Sequence, residues 1–279
     1  MTRSRLRSAA HRLLLPVAAL LTIGAAPALP HRPMRIVSLN MCADQYLLAL
    51  ADPGQIAALT RFSRDPALSA AADAAQRVPV SRGTAEDVVA LDPDLVIASP
   101  GRRSGTMAAL ANRRYPTLEV KSAESYADIV AQVRKVADAV GHPERGEALI
   151  ARMDAALAAL PKVRSGGVAA YYQRRGYLSG SGTLIDDLMH RAGLANLAVT
   201  LRRPALSQLS LEQLVAAHPD YLIVDADAAG MADLGNEMLR HPVLRDIPRV
   251  ALPQAWTVCG GPAYVKAATS LSEQLRTHR

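Results

Sequence analysis

Two cysteines, Cys42 and Cys259, are the only ones in a chain of 279 residues. Three kinds of chemistry are open to them. The first is a disulfide between them, which two cysteines in an oxidising compartment usually form. The second is a pair of separate buried thiols, and the third is a pair of soft ligands for a metal centre. A disulfide between them would close a loop of more than two hundred residues. In the chain-entropy model such a cross-link stabilises a fold by roughly 5 kcal/mol.

Aromatic residues are scarce, with one Trp, one Phe and eight Tyr, so the core must consist mainly of Ala, Leu and Val. Each exposed aromatic side chain is therefore a candidate ligand contact. Flat aromatic walls suit a macrocycle or a catecholate ring. Arginines lie near the same aromatics in sequence, and guanidinium groups bind carboxylates and phosphates through paired hydrogen bonds. They are Arg61, Arg64, Arg82, Arg102, Arg103, Arg174, Arg175, Arg202 and Arg203. Such a cluster favours an anionic ligand, and a solvated basic rim is the alternative.

The composition is that of a folded protein, with half the residues apolar, a fifth charged and a formal charge of +7. Residues 1–28 are typical of a secretory signal peptide, with four arginines, an apolar run over 13–23 and a small-x-small cleavage site at 26–28. A membrane anchor is the alternative. Without that segment the charge is +7 − 4 = +3, too little for a nucleic-acid-binding protein. We therefore expect a protein that is secreted to the periplasm. We do not expect a lipid anchor, because no cysteine stands at the cleavage site.

An internal repeat indicates how the positioning elements are arranged. The segment TAEDVVALDPDLVI at 84–97 reappears as SLEQLVAAHPDYLI at 210–223, each matched pair being offset by 126. Each copy has a hydroxyl N-cap, a short helix, a Pro-Asp turn and an apolar strand. Together with the apolar run at 34–39, this alternation predicts parallel α/β sheets. The repeat indicates two similar lobes, and chance similarity of two ordinary helix–strand units is the alternative.

A helical stretch lies between the two copies. Residues 127–140 are apolar at helical spacing, and Pro143 suits the first turn of a further helix that runs to Leu160. Eighteen helical residues span about 27 Å, enough to join two lobes as one rigid element. The chain is therefore divided into a signal peptide (1–28), an N-terminal α/β lobe (29–141), a linking helix (142–162) and a C-terminal α/β lobe (163–279).

Several segments, in this order and spacing, carry a resemblance to a known family. They are RIVSLN at 35–40, AEDVVALDPDLVIAS at 85–99, GTLIDDLMHRAGLANLA at 182–198, LSLEQLVAAHPDYLIVD at 209–225 and the closing segment 256–262. The chain resembles the class III periplasmic binding proteins of ABC importers for cobalamin, ferric siderophores and haem. The resemblance implies two Rossmann-like lobes joined by one long α-helix, with a ligand cleft between the lobes.

The resemblance also implies a partner and two docking residues. In the family, the glutamate at the position of Glu86 and of Glu212 docks into arginines of the inner-membrane permease, one for each half. The alternative is that each carboxylate only stabilises the positive end of its own helix.

Residues of the ligand cleft are implied in the same way. Phe62, Tyr177 and Trp256 match positions that contact the ligand, and the two cysteines match opposite sides of the cleft. Tyr172 is a candidate oxygen ligand of ferric iron, as in haem sites. The predicted ligand-binding set is Cys42, Phe62, Arg82, Arg103, Tyr172, Tyr177, Arg203, Trp256 and Cys259.

The sequence lacks the G-x-S-x-G elbow, the G-K-[ST] phosphate loop and the H-E-x-x-H zinc helix. We therefore expect a non-enzymatic, monomeric binding protein without a cofactor or resident metal. It captures a metal chelate (a ferric siderophore, cobalamin or haem) and delivers it to the ABC permease. One alternative is an exported α/β enzyme that acts on a small anion with Asp44, Tyr172 or Cys42. The other is a sensor partner protein that recognises the ligand without transport.

Overall fold

Apolar strands from the first half of the chain form one parallel sheet. They are β1 (Ile36–Ser38), β2 (Ile56–Thr60), β3 (Val80–Ser81), β4 (Leu95–Ala98) and β5 (Thr117–Glu119). Their order is β3-β2-β1-β4-β5, and every neighbouring pair is parallel. Helices α1 (Met41–Leu50), α2 (Ala72–Ala75), α3 (Ala85–Leu91) and α4 (Gly105–Ala109) intervene. The central strand β1 and its neighbour β4 are wholly buried, as is typical of the apolar strands of a parallel sheet that is covered on both faces.

The second half builds another parallel sheet. Its strands are β6 (Val168–Tyr171), β8 (Ala195–Asn196), β10 (Tyr221–Asp225) and β11 (Arg249–Leu252), in the order β11-β10-β6-β8. A separate antiparallel ribbon pairs β7 (Tyr177–Ser179) with β9 (Leu206–Gln208). The helices are α7 (Leu184–Arg191), α8 (Leu197–Thr200), α9 (Leu211–Ala216) and α10 (Tyr264–Thr277). The predicted fold class, with parallel α/β sheets, is confirmed.

This computed structural model describes residues 32–100, 105–113, 115–161, 166–226 and 235–278. The predicted signal peptide over 1–28 and the predicted ligand contact Arg103 lie outside the described residues.

The two copies of the repeat fold alike. Thr84 caps α3 and Ser210 caps α9, and each hydroxyl accepts a hydrogen bond of 3.2 Å from the N–H three residues later. Each helix is followed closely by a residue with left-handed backbone, namely Asp92 (φ 44°) and His218 (φ 45°). The equivalence read from the offset of 126 therefore extends to the local backbone.

Two packed helices lie between the sheets in sequence, α5 (Tyr126–Ala139) and α6 (Pro143–Ala158). Gly146 allows them to approach closely, because a Cβ atom there would lie 2.6 Å from Cβ of Ala137. Helix α6 falls within the predicted linking segment and spans about 24 Å at 1.5 Å per residue. One buried cluster draws side chains from both sheets, from α5 and α6 and from α10, so the two sheets share one core. The domain boundaries at 141 and 163 stay a prediction.

Candidate functional site

A depression of about 490 Å³ opens where β1, β2, β3 and β4 end. Carboxyl ends of parallel strands meet at one edge of a sheet, and ligand sites form there. Hydroxyl groups line this wall together with three of the predicted ligand contacts, which are Cys42, Phe62 and Arg82. The structure therefore brings these three residues together.

Phe62 and its neighbours give this first wall an aromatic surface and positive charge. The Phe62 side chain is 40% exposed, and the guanidinium carbon of Arg61 lies 4.7 Å from its ring centroid, a cation–π arrangement. Arg82 is 82% exposed, and its Nη2 lies 2.9 Å from Oδ1 of Asp87. That contact holds the pKa of Asp87 below its usual value.

A buried carboxylate supports the wall from beneath. Asp44 is 0% exposed and accepts a hydrogen bond of 2.5 Å from Oγ1 of Thr60, a residue that lines the depression. Burial raises the pKa of Asp44 to about 7, although hydrogen bonds from Ser38 and Thr60 act in the opposite direction. Asp44 therefore positions Thr60 and does not itself face the depression.

A second depression, of about 210 Å³, opens at the carboxyl ends of β6 and β10. Tyr177 lines it and is 38% exposed. Gln173, Arg174 and Gln254 add polar groups to the same wall. The predicted contacts did not include the two glutamines. Their position two residues after the ends of β6 and β11 was the available signal.

The disulfide between Cys42 and Cys259 joins the first wall to the loop that precedes α10. Their Cα atoms are 4.9 Å apart. Cys42 lines the first depression. Gln254, which lines the second depression five residues before Cys259, accepts hydrogen bonds at its carbonyl oxygen from the N–H groups of Thr257 (3.0 Å) and Val258 (2.9 Å). The cross-link therefore ties the first depression to the loop that leaves the second. Of the three kinds of cysteine chemistry open to the sequence, the structure shows the disulfide.

Tyr172 corrects the sequence-based expectation. Its side chain is 0% exposed and its hydroxyl donates a hydrogen bond of 2.8 Å to the carbonyl oxygen of Leu209. Burial raises the pKa of Tyr172 to about 12, which disfavours the phenolate that binds ferric iron. The prediction that Tyr172 contacts the ligand is wrong, because this tyrosine faces the core where its neighbour Tyr171 faces the depression.

Two other predicted contacts line neither depression. Trp256 is half-buried and packs against the main core. Arg203 follows α8, with its backbone N–H bonded to the carbonyl oxygen of Ala198 at 2.8 Å. Their roles in ligand binding stay predictions.

The residues named for the enzyme alternative do not form a reactive site. Cys42 is in the disulfide, Tyr172 is buried and hydrogen-bonded, and Asp44 lies beneath the wall. In the described ranges, no group of three or more His, Cys, Asp or Glu side chains is placed to hold a metal ion.

Among the helices described, none combines the length and the apolar character needed to cross a membrane.

Glu86 and Glu212 occupy the second position of α3 and of α9, and both are exposed. In each case a hydrogen bond from the residue's own backbone N–H, and then one from the capping hydroxyl, holds the pKa of the carboxyl below its usual value. The two copies of the repeat therefore present equivalent, ionised carboxylates to solvent.

Known proteins resemble this chain over most of its length. The model of a family described as periplasmic binding protein matches residues 36–252. A cobalamin-binding protein from two strains of Halobacterium salinarum is 28% identical in an alignment of 214 residues that covers 73% of this chain and 57% of that protein. The chain thus spans less than two thirds of the length of these curated relatives.

Solved structures share the fold. The periplasmic heme-binding protein RhuT from Roseiflexus sp. RS-1, in apo form, aligns with a TM-score of 0.69 and 25% identity over 87% of this chain and 98% of that chain. The vitamin B12 binding protein BtuF of Vibrio cholerae aligns with a TM-score of 0.59 and 17% identity over 88% and 98%. These relatives are named as binding proteins, and the solved ones share the fold of this chain.

Proposed function

The chain belongs to the periplasmic binding protein family, and we propose that it is the substrate-binding component of an ABC importer. Its ligand is a metal chelate, namely a ferric siderophore, cobalamin or haem. Support for this ligand class comes from relatives that are named for cobalamin and heme binding. The protein acts as a monomer without a cofactor of its own, and it passes its ligand on unchanged.

The observation that carries this proposal is the pair of walls on either side of the Cys42–Cys259 disulfide. Phe62 on one wall and Tyr177 on the other offer partly exposed rings. Arg61, Arg82 and Arg174 add guanidinium groups around them. Flat apolar surface with a few charged groups suits a ring-containing, anionic chelate. A cross-linked site is also largely preformed, which lowers the entropic cost of binding.

The periplasm is the compartment that fits the same features. The segment 1–28 has the composition of a secretory signal peptide. A disulfide at the ligand site persists in an oxidising compartment. Delivery to the permease then uses Glu86 and Glu212, whose ionised carboxylates stand at equivalent places of the two halves.

A titration of the purified protein tests the ligand class. Cobalamin, haemin, a ferric catecholate and a ferric hydroxamate are added separately, with Trp256 fluorescence and visible absorption as the readouts. We expect one of these classes to bind saturably with a Kd of about 1 μM or below, and the spectrum of the recovered chelate to be unchanged. Absence of binding for all four, or turnover of a bound chelate, contradicts the proposal.

A further inference from the structure

Thr60 lies between the first depression and a buried carboxyl group. It lines the depression at the end of β2. Its Oγ1 lies 2.5 Å from Oδ2 of Asp44, and its backbone N–H donates to the same oxygen at 3.2 Å. Its carbonyl oxygen accepts a hydrogen bond of 2.7 Å from Oγ of Ser63. The backbone and the side-chain oxygen of Thr60 are therefore fixed, and only the direction of its hydroxyl hydrogen is left to change.

The protonation state of Asp44 decides where that hydrogen points. An ionised carboxylate only accepts hydrogen bonds, whereas a neutral carboxyl group also has one O–H donor. When Asp44 is ionised, the Thr60 hydroxyl donates to it and presents only lone pairs to the depression. When Asp44 is neutral, its O–H donates to Oγ1 of Thr60, and the threonine hydrogen is free for a group in the depression. One proton on a buried residue thus converts a hydroxyl of the wall from an acceptor into a donor.

The charged groups on elements packed against α1 leave Asp44 without a counter-ion. Strands β1 and β2 have no charged residue. In the turn after β2, Arg61 stacks on the ring of Phe62, and Arg64 donates to backbone carbonyl oxygens. On α5, Asp128 accepts hydrogen bonds at the start of its own helix. In the part of the chain that the structure describes, no cation is bonded to Asp44, so none holds it in the ionised form.

Both protonation states of Asp44 are populated near neutral pH. Its side chain is 0% exposed, and this burial raises its pKa to about 7. No histidine lines either depression in the described ranges, so protonation of a histidine in the walls does not produce the same effect. The hydroxyl of Thr60 therefore changes direction within the pH range in which the protein is handled.

We propose that Thr60 binds the ligand, that Asp44 is its positioning residue, and that binding of the chelate takes up a proton from solvent at Asp44. This inference rests on the proposed function. Arg61 and Arg82 provide permanent donors on the same wall, and Thr60 adds a donor only while Asp44 is neutral. An oxygen acceptor of the chelate therefore favours neutral Asp44. By linkage, the chelate then binds more tightly at acidic than at alkaline pH.

Calorimetric titration at pH 6, 7 and 8 measures the affinity, and repetition in buffers of different ionisation enthalpy measures the proton uptake. The probe is whichever of cobalamin, haemin, the ferric catecholate and the ferric hydroxamate binds the wild type. We expect the affinity to fall about tenfold from pH 6 to pH 8, the limit for one such group, and an uptake of about 0.5 proton per chelate at pH 7. Both are measured on the wild type, so the test does not depend on the folding of a variant.

Variants assign the proton to this pair of residues. Asp44→Asn resembles the neutral acid, so it should bind as the wild type does at pH 6 and lose the pH dependence. Thr60→Val, which has no hydroxyl, should bind more weakly at pH 6 and show no pH dependence. Thr60→Ser keeps the hydroxyl and should restore both properties, which a purely structural role would not predict. Asp73→Asn, at an exposed position, is the control and should keep the wild-type profile.

The possible failures are distinguishable. Binding without proton uptake, or a pH dependence that persists in Asp44→Asn or in Thr60→Val, overturns this inference and leaves the proposed function standing. If none of the four chelates binds at any of the three pH values, the proposed function fails, and this inference fails with it.

Discussion

The Tyr46 hydroxyl donates a hydrogen bond of 2.6 Å to the carbonyl oxygen of Gly260. Cys42 and Cys259, each close to one of these residues in sequence, form the disulfide. Helix α1, at the edge of the first wall, is thereby fixed to the loop that precedes α10. Two different kinds of bond thus hold the first wall against this loop, which supports the proposal of a largely preformed site.

Removal of the disulfide should destabilise the protein. The replacement of both cysteines by serine opens a loop with a sequence separation of 217 residues, and loss of a native disulfide typically costs about 2–5 kcal/mol. Urea unfolding of the wild type with and without a thiol reductant measures this loss. The doubly substituted protein is the control, because a reductant should not change its stability. Equal stability of the oxidised and reduced wild type would contradict the prediction.

Gly260→Ala should lower the free energy of unfolding by about 1–3 kcal/mol. Gly260 has a φ of 54°, and a Cβ atom there would lie 2.8 Å from the carbonyl oxygen of Ala123. Gly261→Ala is the matched control, because a Cβ atom at Gly261 meets nothing within 4 Å. Denaturant unfolding of both variants compares them. If Gly261→Ala loses as much stability as Gly260→Ala, the close approach at Gly260 is not the cause.

Asp44 should make stability fall as the pH rises. Its pKa is raised from 3.8 to about 7 in the folded protein, so between these values the native state holds a proton that the unfolded state has lost. The slope of unfolding free energy with pH is then negative for this group. Asp44→Asn removes that contribution, which integrates to about 4 kcal/mol at most.

The measurement compares urea unfolding of the wild type and Asp44→Asn at acidic and at neutral pH. The difference between them should grow in favour of Asp44→Asn as the pH rises. Asp73→Asn, at an exposed position, should follow the wild type. A constant difference between the wild type and Asp44→Asn across this range would show that Asp44 is ionised already at acidic pH.

Charge reversal at both Glu86 and Glu212 should abolish uptake of the chelate while its affinity for the protein stays the same. Both carboxylates are exposed, and neither lines either depression. Uptake by cells and binding by the purified protein are measured separately. Glu144→Lys is the control, since Glu144 occupies the same second position of α6 and is exposed. Normal uptake by the Glu86→Lys, Glu212→Lys protein would remove the docking proposal.

The repeated units could be predicted because their chemistry is local. Asp94 accepts a hydrogen bond of 2.7 Å from the N–H of Met34, and Asp220 accepts one of 2.6 Å from the N–H of Val168. In each half the Pro-Asp turn thereby fixes the entry of a central strand. The residues that decide this lie in the repeat itself, so the offset of 126 reveals it.

The side chains of the cleft were harder to predict. Strand β6 is buried on both faces, so its apolar sequence does not indicate which of Tyr171 and Tyr172 points toward the ligand. The cysteine pairing depends on how α1 meets the loop before α10, a contact between distant parts of the chain. Local patterns contain neither kind of information, so the sequence wrongly predicts Tyr172 as a ligand contact and gives no prediction for Gln173.

We propose that both walls hold one ligand, and a comparison of single variants tests this shared site most directly. Phe62→Ala alters the first wall and Tyr177→Ala the second, while Val199→Ala changes an exposed apolar residue that lines neither. Calorimetric titration with the chelate that binds the wild type gives affinity and stoichiometry. We predict one ligand per chain and a loss of affinity of at least about tenfold in each wall variant, with none in Val199→Ala. Wild-type affinity in either wall variant would contradict a site shared by the two walls.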